Sequence, residues 1–276
     1  MIADYHVHTY YSEDSQYPME DVVKDAIEKG CGELCFTDHV DYGILPDANE
    51  DVYKYLPSGK RRMNVDYPRY YEEFLALKEK YGDRIKLKLG LEFGMQSHTV
   101  DRYKALFKRY PFDFIILSVH EVNDLELWDS SYMEGKSQRE YNEGYYKEIL
   151  KILESYSDFS VLGHLDVIVR YDPKGAYAFE KVKPLVEEIL KKVISMGKGI
   201  ELNTSNQRYG LADSTPSREI LELYRDLGGR IITLGSDSHK PEHLNANIEW
   251  GKAYLRELGF DVFCTFEGMK PIFHKL

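Results

Sequence analysis

Six short apolar runs in this chain each stop at a histidine, an aspartate or a glutamate. They read IADYHVHTYYSED, ELCFTDH, KLGLEF, FIILSVH, VLGHLD and IITLGSDSH, and they hold six of the nine histidines. Each is apolar along its length and chemically active at its tip. With nine histidines in 276 residues, chance does not gather six of them at strand ends beside acids. The pattern demands a fold in which the ends of many strands meet.

Strand-like and helix-like segments alternate along the whole chain. Strands are expected at 2–8, 33–38, 86–93, 112–120, 160–165, 198–203 and 230–236. Amphipathic stretches lie between them, near 19–29, 67–81, 99–110, 137–156, 178–196, 215–228 and 245–258. In the first, Met19, Val22, Val23, Ala26 and Ile27 recur at helical spacing. Pro18 stands before it and Gly30 closes it. Seven βα units with nearly continuous apolar strands imply parallel strands covered by helices, an α/β fold. An open sheet would hold the first and seventh strands apart, whereas a closed TIM-like barrel brings all strand ends to one rim. The barrel is therefore expected, with the site at the C-terminal ends of the strands. No linker or repeat interrupts the chain, so residues 1–276 are read as a single domain. One long connection, 40–66, borders the expected site as a lid or a substrate-facing insertion.

The net charge of −11 argues against a nucleic-acid backbone binder. It leaves an anionic substrate open, because bound cations reverse the local field. Cys31, Cys35 and Cys264 show no CxxC spacing and are read as reduced and structural. No run approaches the roughly 18–20 apolar residues of a membrane span. A cytoplasmic protein without a membrane partner, monomeric or homodimeric, is the expectation.

His6 and His8 are two apart on a strand, so both rings face one side. Glu92, His120 and His164 end the third, fourth and fifth strands. Asp237 and His239 form a second i, i+2 pair after the seventh, and Asp14 and His39 follow the first and second. Any one of these alone is ordinarily a satisfied turn or core residue. Nine together at six strand ends argue for a multinuclear metal site. Imidazole mixed with carboxylate suits Zn²⁺ first, with Fe²⁺ or Mn²⁺ as alternatives.

In order, HVH, TDH, GLE, SVH, GHLD and SDSH resemble the PHP (polymerase and histidinol phosphatase) superfamily of metal phosphoesterases. The resemblance spans essentially the whole chain. It implies a distorted seven-stranded βα barrel with three divalent ions. Carried over by position, one ion falls to His6, His8, Glu92 and Asp237. A second falls to Glu92, His120 and His164, and the third to Asp14, His39 and His239. Many members have His where this chain has Asp14, and Asp there is similar to the histidinol phosphatase branch. Neighbouring Glu13 is an alternative ligand.

Three divalent ions outweigh Asp14, Glu92, Asp237 and a hydroxide, leaving a formal charge of about +2 that suits a phosphate monoester. Clustered metals activate water and clamp the oxygens of an in-line displacement, so attack by a metal-bridging hydroxide is expected. Arg170 follows the fifth strand and Arg208 the sixth, and guanidinium forks suit phosphate oxygens. Their settings resemble the GHLD…R and NTS…R segments of PHP-type L-histidinol phosphate phosphatases. That resemblance implies phosphate binding by both arginines and hydrolysis of L-histidinol phosphate in histidine biosynthesis. Another PHP phosphoesterase, acting on a different small phosphomonoester, a nucleotide or a phosphoprotein, stays open, as does an amidohydrolase. The basic run Lys60–Arg61–Arg62 is read as solvated, with phosphate steering as the alternative. His98, His243 and His274 match no motif and are read as ordinary surface or packing residues.

Overall fold

The computed structural model describes residues 1–51, 54–55 and 59–276. Seven parallel strands form the centre: β1 (Ile2–Val7), β2 (Cys31–Phe36), β3 (Lys86–Gly94), β4 (Phe114–Ser118), β5 (Val161–Leu162), β6 (Gly199–Asn203) and β7 (Ile232–Gly235). Each pairs with the next in sequence. The circle closes where Val7 bridges Ser238 in parallel, with the His8 amide donating to Ser238 O at 2.8 Å. The expected TIM-like βα barrel is therefore present, distorted at β5, where only two residues pair.

Among the described residues seven α-helices lie between and after the strands: α1 (Met19–Glu28), α2 (Tyr67–Tyr81), α3 (Val100–Phe107), α4 (Gln138–Ser155), α5 (Phe179–Ser195), α6 (Arg218–Asp226) and α7 (Ile248–Glu257). In α1 the buried residues are Met19, Val22, Val23 and Ala26, the face that the spacing predicts. Gly30 ends the passage with φ +73°, a conformation that costs glycine little. α4 starts at a capping box, with Ser137 and Glu140 each bonding the other's backbone amide.

Two local features aim the site. Three steps on β1, from Asp4 to Val7, face two on β2, from Leu34 to Phe36. This bulge turns consecutive residues toward the barrel interior. Tyr5 packs edge-on against Phe114 at 4.9 Å, while His6 meets Glu92 and Glu201. The second feature was not expected from the sequence. An antiparallel hairpin, β8 (Val262–Glu267) and β9 (Lys270–Lys275), follows the seventh unit. Its Phe266 exchanges hydrogen bonds with the Tyr5 hydroxyl, and Gly268 and Met269 bond Asp113 just before β4. The hairpin thus covers the N-terminal ends of the strands and leaves the other rim for chemistry. Among the described residues no helix is long and apolar enough to cross a membrane.

Candidate metal centre

The strand tips converge on Glu92, which is fully buried at the end of β3. One carboxylate oxygen, Oε2, lies 3.2 Å from His6 Nε2, 3.6 Å from His8 Nε2 and 3.0 Å from His39 Nδ1. The other, Oε1, lies 2.9 Å from His164 Nε2 and 3.2 Å from His120 Nε2. Asp237 Oδ1 sits 3.8 Å from His6 Nε2 and 3.5 Å from His8 Nε2. Asp14 Oδ2 sits 3.0 Å from His239 Nε2 and 3.7 Å from His39 Nε2. All nine residues singled out from the sequence are thus in one connected cluster. Asp14 stands apart in being half exposed at the rim. Glu13, the alternative to it, is taken up by Arg62, which donates to both its oxygens at 2.6 and 3.1 Å.

The donor set fits cations. His6 Nε2, His8 Nε2, His39 Nδ1 and Glu92 Oε2 are buried without a hydrogen-bond partner. Such atoms are costly unless something satisfies them. Among the described residues four triads, each of atoms within 4.8 Å of one another, have the geometry to hold an ion: His6–Glu92–His164, His6–His8–Asp237, His8–His39–His239 and His39–Asp41–His120. Asp41 was not among the residues expected. Its Oδ1 lies 2.8 Å from His120 Nδ1.

Charge sharpens the picture. Burial opposes ionisation of Glu92, yet His6, His120 and His39 hold its carboxyl well below the usual range. Burial would lower His6, but Glu201, Glu92 and Asp237 outweigh it and raise its pKa well above normal. His8 goes the other way, pushed down by burial and by His239 and His39, on which its ring stacks at 4.0 and 4.2 Å. Asp237 adopts φ +55°, in the left-handed region that residues other than glycine adopt uncommonly.

Several supporting residues lie outside the sequence reading. Glu201, on β6, places Oε1 2.6 Å from His6 Nδ1 and accepts the His164 amide on Oε2 at 2.9 Å. Such outer partners fix the tautomer and direction of a ligand. Its signal was an acid inside the apolar strand GIELN. Ser118 donates to Glu92 Oε1 at 2.6 Å. Asp38, in TDH beside His39, accepts the Thr9 and Ser12 amides at 2.6 and 2.9 Å and so braces the loop behind His8.

A cavity of about 680 Å³ opens above the cluster. Arg170 and Arg208 both line it. Arg170 lies over the Tyr209 ring at 3.8 Å and donates to Ser205 Oγ at 2.9 Å. Arg208 donates to the carbonyls of Ser236 and Asp237 at 3.1 and 2.8 Å. The Nε of each is buried and unpartnered. His243, expected to be an ordinary surface or packing residue, also lines this cavity, whereas His98 pairs with Asp124 and His274 with Thr265. The run Lys60–Arg61–Arg62 is not simply solvated. Lys60 donates to the carbonyls of Tyr10, Ser12 and Ser15, Arg61 to those of Ala48 and Glu50, and Arg62 to Glu13 and Glu126. From the 40–66 connection, Asp41, Ile44, Leu45 and Arg62 face the cavity, and residues 52–53 and 56–58 lie outside the described residues. The three cysteines are free and buried.

A parallel barrel of seven βα units, carrying a histidine–carboxylate cluster at the C-terminal rim, is the architecture of a metal-dependent hydrolase. The PHP domain model matches residues 4–205. The chain belongs to the PHP domain family. It is 31% identical over 275 residues to a histidinol-phosphatase of Lactococcus lactis, covering 97% of this chain and 95% of that one. A probable histidinol-phosphatase of Thermotoga maritima is 28% identical, with both chains covered in full. A crystal structure of the Lactococcus lactis histidinol phosphate phosphatase, in complex with zinc, L-histidinol and phosphate, matches with a TM-score of 0.82 at 29% identity, covering 98% of each chain.

Proposed function

We propose that this protein hydrolyses L-histidinol phosphate to L-histidinol and phosphate in histidine biosynthesis, as a single unit spanning residues 1–276 and working in the cytoplasm. The observation that carries the reading is the cavity itself. The unpartnered guanidinium N–H groups of Arg170 and Arg208 flank a cluster of orphaned imidazole nitrogens. A phosphate monoester satisfies the arginines, and divalent cations satisfy the cluster. The likeness to a phosphatase of the same architecture, crystallised with zinc, L-histidinol and phosphate, supports the substrate.

Three ions are proposed, zinc foremost. His6, His8, Glu92 and Asp237 hold one, Glu92, His120 and His164 a second, and Asp14, His39 and His239 the third. Bound there, divalent ions supply a nucleophile at neutral pH and neutralise charge on the phosphoryl oxygens. The chain's own groups do the rest. Arg170 and Arg208 orient the phosphate through charge-assisted bonds. Glu201 and Asp41 hold protons at Nδ1 of His6 and His120, which leaves each Nε2 facing Glu92. Among the described residues no serine, threonine or cysteine lines the cavity, which favours water as the attacking group over a phospho-enzyme on those side chains.

Steady-state kinetics on L-histidinol phosphate, AMP, phosphotyrosine and single-stranded DNA, with metal analysis of the same preparation, test the proposal. A clear preference for L-histidinol phosphate by the metal-loaded protein is expected. Preference for any of the other three refutes it.

A further inference from the structure

The turn after β1 carries two adjacent acids, and one of them faces the imidazoles. Asp14 Oδ2 reaches His239 and His39 from a side chain that is 49% exposed, whereas Glu92 and Asp237 are buried. A ligand so placed needs its backbone held from outside, and the end of the 40–66 connection does this. Lys60 Nζ donates to the carbonyl of Tyr10 at 2.7 Å and to those of Ser12 and Ser15. Three carbonyls match the three N–H bonds of an ammonium. Those of Ser12 and Ser15 bracket Asp14 in the chain. Two residues on, Arg62 grips Glu13 with a fork, Nε to Oε2 at 2.6 Å and Nη2 to Oε1 at 3.1 Å. The same Nη2 reaches Glu126 at 2.8 Å, in the short hairpin after β4. Bidentate pairs of this kind fix geometry as well as charge. Glu13 is thereby drawn away from the cluster, although it stands next to Asp14 and bears the same chemistry.

We propose that Lys60 and Arg62 are positioning residues for one ion alone. They hold the turn after β1 so that Asp14, and not Glu13, completes the position shared with His39 and His239. This rests on the three-ion reading above and deepens it. The positions around Glu92 draw their ligands from strand ends inside the barrel and do not touch this clamp. The Asp14 position has a solvent-facing carboxylate on a turn that a distant segment must brace. It is therefore the first to empty, and the 40–66 connection sets how readily it does so.

The test uses the full-length protein loaded with zinc alone. Zinc per chain is measured by elemental analysis after dialysis against graded chelator, with far-UV circular dichroism to show an intact fold. The wild type should release one ion before the others. In Lys60→Met and in Arg62→Gln that ion should be held roughly tenfold more weakly, as for other outer partners of ligands, while the rest stay within about twofold. Asp14→Asn should lose the same ion. Adding Arg62→Gln to Asp14→Asn should then cost nothing further, since the two act on one position. Wild-type retention in both single variants overturns the clamp. So does a parallel weakening of every ion in a folded variant, which marks general support of the barrel, and so does an additive loss in the double variant. A wild type that never holds three ions overturns the three-ion reading, and the clamp with it. Should Arg62→Gln not fold, Arg62→Lys, which keeps the charge but lacks the fork, is read in the same way.

Discussion

Replacing Glu201 by glutamine isolates what orients His6. The side chain is 1% exposed and serves two close donors, His6 Nδ1 at 2.6 Å and the His164 amide at 2.9 Å, with Asn203 Nδ2 farther off at 3.4 Å. Glutamine keeps the shape but offers one oxygen and one NH₂. Whichever way it turns, one of the two donors meets an N–H group. Room to swing aside is absent, since a Cβ built on Gly235 would stand 2.3 Å from Oε1. One charge-assisted bond is therefore lost, worth about 2 kcal/mol. If that loss falls on the ligand, metal affinity drops by about 30-fold, inside the 10–100-fold range of outer-partner mutations. The assay is metal retained per chain after dialysis against graded chelator, with far-UV circular dichroism to show an intact fold. A folded Glu201→Gln protein that retains metal within about twofold of the wild type refutes the idea that Glu201 sets His6.

Three further outcomes are expected. Arg208→Ala should raise KM for the phosphomonoester and weaken inhibition by inorganic phosphate, by about tenfold or more, with metal content kept; parallel kinetics and elemental analysis check this, and a normal KM removes Arg208 from the phosphate site. Gly235→Ala places a methyl group 2.3 Å from both Glu201 Oε1 and the His6 Cβ. Overpacking of that kind costs about 1–3 kcal/mol, so chemical denaturation should show a loss of stability accompanied by a loss of bound metal. Burial pushes the Cys31 and Cys264 thiols up to about 12 and about 11. The unfolded thiols ionise near the ordinary value while the folded ones keep their protons, so stability present below about pH 9 should decline as pH rises toward 11. A thiol reagent at pH 8 should find all three cysteines only after denaturation, and rapid labelling of the native protein would contradict their burial.

The barrel and the gathering of its nine tip residues were legible because imidazole and carboxylate stand out against apolar runs, and strand direction takes every tip to one rim. What stayed hidden depends on partners far along the chain. Nothing in the sequence near Asp14 separates it from Glu13; the distinction comes from Arg62, which binds Glu13. Glu201 sits inside a strand whose five residues are all buried, where inward and outward positions look alike until the barrel closes. β5 was expected over six residues and pairs over two, because the chain leaves the sheet after Gly163, whose amide still donates to Leu117 O, and the His164 amide is drawn to Glu201. The β8–β9 hairpin went unseen because it follows the last βα unit, where the repeating logic of the barrel has ended.

The seam between the first and last strands has a consequence for biosynthesis of the protein. Ser236 bonds Asp4 across 232 residues of chain, and the same seam carries His6 and His8 on one side and Asp237 and His239 on the other. A chain still emerging from the ribosome holds only half of these groups until residues 237–239 have been made. Capture of the proposed ions therefore coincides with ring closure, the step with the greatest loop entropy to overcome. Metal bound at that point would act as a clasp, stabilising only chains whose ring has closed.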